Sequence, residues 1–180
     1  PLDTMPPCAL VFEVTNDCDD ADNLRPEEEF INTLVWTNPN EVCPDTDDAV
    51  AYNLYFASFP DRPLELFASI DDVNQLTFQH KPDEGIAGCY AVTAVDSFGN
   101  ESAIDTIICV ENCPFYELPN VFTPNGDGQN EQFTPFPYRF IDRIELQVFN
   151  RWGQLVFETE DPDINWDGTN LNGEPVVEGT

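Results

Sequence analysis

Two stretches of this chain hold oxygen-bearing side chains at spacings that could bind a hard cation. Asp163-x-Asn165-x-Asp167-Gly168, followed after five residues by Glu174, satisfies the calcium-loop pattern of a helix–loop–helix site. Alternate oxygen donors, a glycine at the bend and a distant bidentate carboxylate are what Ca²⁺ needs. The flanks are wrong for it. Val156-Phe-Glu158 reads as a strand, and Pro175 follows Glu174 directly, so an exit helix has no place to start. The second stretch is Asn125-Gly-Asp-Gly-Gln-Asn-Glu131, where Asn125 and Asp127 are the candidate ligands. Its plain alternative is a turn, because Asn-Gly and Asp-Gly form turns whatever their function. Calcium is the one cofactor these residues suggest.

Catalytic chemistry finds less support. His80 is the sole histidine, and no Gly-x-Ser-x-Gly elbow accompanies it. It reads as a surface residue near a strand end. Carboxylate pairs for glycoside hydrolysis carry no signal in a chain with 35 acidic residues. The expectation is therefore a chain that is not an enzyme. Asp17–Asp22, Glu27–Glu29 and Asp45–Asp48 read as solvated acidic loops.

Six basic against 35 acidic residues give a net charge of −29. Such a chain repels phosphate backbones and anionic headgroups, which excludes nucleic acid as a partner. No apolar run is long enough for a membrane-spanning helix. The six cysteines, Cys8, Cys18, Cys43, Cys89, Cys109 and Cys113, contain no Cys-x-x-Cys pair, so disulfides are a better reading than zinc. Disulfides imply an oxidising compartment. Their connectivity stays open. With neither an initiator methionine nor a signal peptide, the chain is expected to be the C-terminal part of a larger secreted protein.

The elements that would position these residues read as strands. Residues 9–15, 31–37, 49–57, 64–68, 76–79, 88–95 and 104–110 are short β-rich runs between turn clusters, which predicts an all-β sandwich. After a stiff Pro114–Pro119 junction comes a hairpin, Ile144–Phe149 and Gln154–Glu158, around Asn150-Arg-Trp-Gly153. Ile144, Leu146 and Val148 would face one side of it. Two domains are expected, 1–114 and 115–180. Trp36, Tyr52, Phe56 and Tyr90 read as core residues, and Trp152, in the turn, as an exposed one.

Two resemblances sharpen this reading. Trp36 before a Pro-containing loop, Tyr52 and Tyr55, and Tyr90-Ala-Val-Thr-Ala-Val-Asp-Ser-Phe-Gly-Asn-Glu-Ser102 make the first half resemble a fibronectin type III domain. The cysteines depart from that family's usual pattern. Leu118-Pro-Asn-Val-Phe-Thr-Pro-Asn-Gly-Asp-Gly128, Val148-Phe-Asn-Arg-Trp-Gly-Gln-Leu-Val-Phe157, Trp166-Asp-Gly-Thr169 and Gly179-Thr180 make the second half resemble the type B C-terminal sorting domain of the Bacteroidetes type IX secretion system. That domain is also called the gliding-motility-associated C-terminal domain.

The second resemblance implies a large surface protein, an adhesin or exoenzyme, that crosses the periplasm and the outer membrane through the type IX translocon. It implies an outer-membrane barrel protein or translocon component as partner. The residues expected to meet it are Asn125, Gly126, Asp127 and Gly128 in the loop, and Arg151, Trp152 and Gly153 in the turn. It also implies two further strands beyond Thr180, so the domain reads as truncated there, with an open sheet edge that a partner strand would fill. The rival reading is a calcium-dependent adhesive or carbohydrate-binding module.

Overall fold

The computed structural model describes residues 4–16, 18, 30–43, 48–83 and 85–176. The acidic stretches at 19–22, 27–29 and 45–47, and the Gly179-Thr180 pair, lie outside the described residues. The chain divides into two compact units that meet in sequence between Asn112 and Cys113.

Among the described residues, the first unit holds seven strands in two antiparallel sheets. These are β1 (Phe12–Asn16), β2 (Asn32–Trp36), β3 (Ala49–Ala57), β4 (Glu65–Ile70), β5 (Thr77–His80), β6 (Gly88–Asp96) and β7 (Ile108–Val110). One sheet has the order β1-β2-β5 and the other β4-β3-β6-β7. The expected seven strands are all present, β7 being shorter than its apolar run. Alternation along β2 and β3 buries Leu34, Trp36, Tyr52 and Leu54. Phe30, Leu34, Tyr52, Leu54 and Tyr90 are each less than 2% exposed. Side chains of this size contribute roughly 1.5–3 kcal/mol apiece when buried. Trp36 meets Tyr52 edge-on at 5.3 Å, one ring from each sheet.

Two details differ from the sequence reading. Asn38-Pro39-Asn40 does not simply close β2 but opens a helical turn, α1 (Pro39–Val42). Asn38 caps it by accepting from the Asn40 N–H at 3.0 Å, and Pro39 supplies the fixed φ of a first helical residue. The second correction concerns His80, which is not a plain surface residue. Its ring is half-buried against Phe67 at 4.3 Å and Phe56 at 5.0 Å, and Nδ1 lies 2.8 Å from the Tyr90 hydroxyl. That hydroxyl also accepts from Asn32 Nδ2 at 2.8 Å, and Asn32 Nδ2 donates to the Ile86 carbonyl at 2.7 Å. Burial pushes the His80 pKa below its ordinary value, against the pull of Asp83. A strand-end histidine looks exposed in sequence because the aromatic neighbours come from three other strands.

Disulfides join Cys8 to Cys43 and Cys89 to Cys109, the second pair standing opposite each other on β6 and β7. Cys18 and Cys113 are also disulfide-bonded, and no cysteine is free. The disulfide reading of the six cysteines therefore holds.

Among the described residues of the second unit, the regular structure is one antiparallel hairpin, β8 (Leu146–Phe149) and β9 (Leu155–Thr159). Isolated bridges tie Phe115 to Arg139, Phe133 to Trp166 and Thr169 to Pro175. Ile144 donates to the Glu160 carbonyl just outside β8, and Leu146 and Val148 are half-buried while Glu145 and Gln147 are exposed. Val156 and Ile164 are the buried apolar residues of this unit among the described residues. The described residues are thus all-β and antiparallel, with a single helical turn among them. No helix among the described residues is long and apolar enough to cross a membrane.

Candidate docking surface of the C-terminal unit

The Asn125–Glu131 loop is closed by its own side chains. Thr123 N–H donates to the Asn130 carbonyl at 2.8 Å, which pins the two ends together. Asn125 Oδ1 accepts from the Asp127 N–H at 2.9 Å, and Asp127 Oδ1 accepts from the Gln129 N–H at 2.8 Å. Glu131 spans the loop. One carboxylate oxygen accepts from Gly126 N–H and the other from Gly128 N–H, each at 2.9 Å. Gly126 and Gly128 have φ of +80° and +82°, the left-handed region that glycine enters without strain. Sequence reasoning singled out the loop but not Glu131 as its clamp. The signal was an acid just past a double-glycine turn.

Beneath the loop lies an aromatic cluster. Phe122 packs on Phe133 at 5.7 Å and on Trp166 at 5.3 Å, and Phe157 of β9 stacks on Trp166 at 5.5 Å. Trp166 Nε1 donates to the Thr169 carbonyl at 2.7 Å. Gly168 has φ +81°, and a Cβ there would stand 3.1 Å from Pro124 and 3.4 Å from Phe122. Three motifs far apart in sequence therefore share one core. Trp-Asp-Gly-Thr supplies the central ring, and its glycine lets the loop-bearing segment approach. Asp167 turns its carboxylate back on Thr169, accepting from N–H at 3.0 Å and from Oγ1 at 2.7 Å, and these hydrogen bonds hold its pKa below the usual carboxylate range.

The hairpin turn is built in the same way. Asn150 Oδ1 accepts from the N–H groups of Trp152 and Gln154, both at 3.0 Å. Gly153 takes φ +76°. This leaves Arg151 and Trp152 projecting from a locked backbone. The guanidinium of Arg151 lies 4.4 Å from the indole centroid, and Trp152 is 68% exposed. A rigid, exposed Arg–Trp pair is the composition enriched at interface hot spots.

Of the alternating calcium set, Asp163 Oδ1 accepts from the Tyr138 hydroxyl at 2.6 Å, which pushes the Tyr138 pKa up to about 12. Asn165 sits at φ +52° in a tight turn and Asp167 faces Thr169. Glu174 lies across a separate turn from Asn170, whose N–H donates to the Glu174 carbonyl at 2.7 Å. In the Asn125 loop, Asp127 and Glu131 accept from backbone N–H groups. Among the described residues no three His, Cys, Asp or Glu side chains converge to hold a metal.

The second unit is thus a small antiparallel unit of clamped turns over an aromatic cluster, with Arg151 and Trp152 exposed on one of those turns. Residues 116–180 match the family model of the CHU_C type IX secretion signal domain. The match agrees with what the motifs of this segment implied, and it supports a sorting role for residues 116–180. No curated protein matches the chain in sequence. Two solved structures show partial likeness. Pectate lyase PelI from Erwinia chrysanthemi, in complex with tetragalacturonic acid, matches with a TM-score of 0.40 and 14% identity, covering 57% of this chain and 28% of that one. Pectate lyase Pel3 from Pectobacterium carotovorum matches with a TM-score of 0.31 and 14% identity, covering 50% and 27%. At these scores the likeness carries no argument about fold or activity.

Proposed function

We propose that the second unit docks on an outer-membrane barrel protein or translocon component of the type IX secretion system, while the first unit acts as a fibronectin type III-like spacer. The contacts are the Asn125-Gly-Asp-Gly128 loop and the Arg151-Trp152-Gly153 turn. The observation that carries this reading is the family match over residues 116–180. Support comes from the clamped turns, which present an exposed Arg–Trp pair at little further entropic cost on binding. For the first unit, the support is the three-plus-four strand order and the Trp36–Tyr52 contact between its sheets. On this reading the chain performs no covalent reaction and belongs to a large surface protein, which reaches the exterior through the periplasm.

The test is a reporter fused ahead of the chain in a type IX-secreting Bacteroidetes cell. The reporter should reach the exterior with residues 116–180 present and stay inside without them. Retention with the full native C-terminus in place sinks the sorting reading. Arg151→Ala with Trp152→Ala should cause retention while thermal unfolding is unchanged. Export of that variant at the wild-type level would leave sorting in place and remove the turn from the contact.

A further inference from the structure

We propose that Asn125 is a latent site of spontaneous deamidation and isomerisation, and that Glu131 is the positioning residue that keeps it closed. An Asn-Gly pair carries its own reaction. The main-chain nitrogen of Gly126 attacks Cγ of Asn125, forming an N–Cγ bond. The Cγ–Nδ2 bond breaks, and ammonia leaves with the proton that Gly126 nitrogen gives up. The product is a cyclic imide. Solvent water then adds to one of its two carbonyls and opens the ring. Addition at Cγ yields aspartate, and addition at the main-chain carbon yields isoaspartate. Water is the sole co-reactant. Gly126 has no Cβ to hinder the approach, and residues 123–130 are exposed to water.

The structure sets three contacts against this chemistry. The attacking nitrogen is engaged, since Gly126 N–H donates to a Glu131 carboxylate oxygen at 2.9 Å. A hydrogen bond to a charged acceptor is stronger than one between neutral groups. The electrophile is tied down, because the Asn125 amide accepts from Asp127 N–H at 2.9 Å and donates to Asp127 Oδ2 at 3.0 Å. A rotation of the amide during the attack would have to break these two bonds. The other Glu131 oxygen takes Gly128 N–H at 2.9 Å, which is the nitrogen that would attack Asp127 in the parallel isomerisation of Asp-Gly. One carboxylate thus engages both nucleophiles of the loop.

The same unit contains an internal reference. Asn172-Gly173 is a second Asn-Gly pair on an exposed turn, but Gly173 N–H donates to the Asn170 main-chain carbonyl at 2.8 Å. No side chain clamps its nucleophile, so nothing at that turn depends on Glu131.

The experiment uses the full chain as wild type, Glu131→Ala and Glu131→Gln, incubated at neutral pH and body temperature. Peptide mass mapping reads the amide-to-acid exchange at each Asn-Gly, and enzymatic methyl labelling reads isoaspartate. Glu131→Ala should accelerate deamidation at Asn125 about tenfold, the factor that loss of about 1.4 kcal/mol gives. Glu131→Gln, which keeps a single acceptor oxygen, should fall between. Asn172 should react at one rate in all three. Equal Asn125 rates in wild type and Glu131→Ala overturn the proposal. A slower rate in Glu131→Ala overturns it too, because the carboxylate would then be acting as a base. Equal acceleration at Asn125 and Asn172 also overturns it, since that would be loosening of the whole unit and not the loss of a local clamp.

Discussion

The two units are held together by different means. The first buries a continuous core in which Leu10, Phe12, Leu34, Trp36, Tyr52, Leu54, Tyr90 and Val92 pack between two sheets. The second buries Val156 and Ile164 and relies on Asx-type turns, a carboxylate clamp and a half-exposed aromatic cluster. Burial is non-directional and leaves the outer surface free to vary. Side-chain clamps are directional and fix particular loops in space. Such clamps occur in the first unit too, where Asp96 accepts from the N–H groups of Phe98 and Asn100, and Asn112 from those of Ile86 and Ala87, but there they sit beside a large buried core. In the second unit they lie in the loops that carry the sorting motifs, over a much smaller buried core.

The comparison is sharpened most by removing one core side chain. Leu54→Ala should cost the first unit about 3–4 kcal/mol through lost transfer energy and the cavity left behind. Two-transition calorimetry should show the second unit unfolding as before. If both transitions move together, the units do not fold independently.

Next in size is Gly168→Ala. Its φ of +81° and the 3.1 Å approach to Pro124 should make an added methyl cost the second unit about 2 kcal/mol. Gly153→Ala faces the same dihedral with no atom within 4 Å of the new Cβ, so it should cost less. Equal losses at the two glycines would mean that the dihedral matters and the close approach does not.

A smaller effect separates the units by pH. The folded-state pKa of His80 lies below its unfolded value because burial favours the neutral ring. The unfolded chain then binds more protons near pH 6, so stability is full above the ordinary histidine pKa of about 6.5 and falls as pH drops below it. The groups facing the ring are Tyr90, Phe56 and Phe67, with Asp83 the charge nearest in effect. Denaturant midpoints of the first unit should fall from pH 7 toward pH 5.5, and His80→Phe should remove that slope. The second unit has no histidine, and its midpoint should stay flat across the same range. An unchanged slope in His80→Phe would assign the effect to carboxylates.

The smallest expected effect on stability comes with the largest expected effect on export. Trp152→Ala removes a side chain that is 68% exposed, and the second unit should keep its stability to within about 0.5 kcal/mol. Urea titration checks this beside the export assay. A loss of more than about 2 kcal/mol would make Trp152 a structural residue and not a displayed one.

Most of the fold was legible in the sequence because it is written in period-two alternation. Residues 49–57 were expected as a strand, and β3 has those bounds. Local turn chemistry was legible too: Asn150, Gly153, Gly126 and Gly128 take the roles their types imply. What escaped the reading depends on partners distant in sequence. His80 looked like a surface residue because Phe56, Phe67 and Tyr90 reach it only once β3, β4 and β6 are side by side. Glu131 looked like one acid among many until the loop folded its two glycine N–H groups onto it.

By itself, then, the sequence determined an all-β chain and disulfide-bonded cysteines, because residue type and short-range spacing suffice for strands and turns, and its linked motifs carried the resemblance to a secretion signal domain. The tertiary structure alone decided that Cys8 pairs with Cys43 and Cys89 with Cys109, how Phe122, Phe157 and Trp166 come to share one cluster, and which carboxylates clamp a backbone. Each of these depends on contacts between residues far apart in the chain. Such contacts are set by how strands pair and pack, which no local spacing encodes.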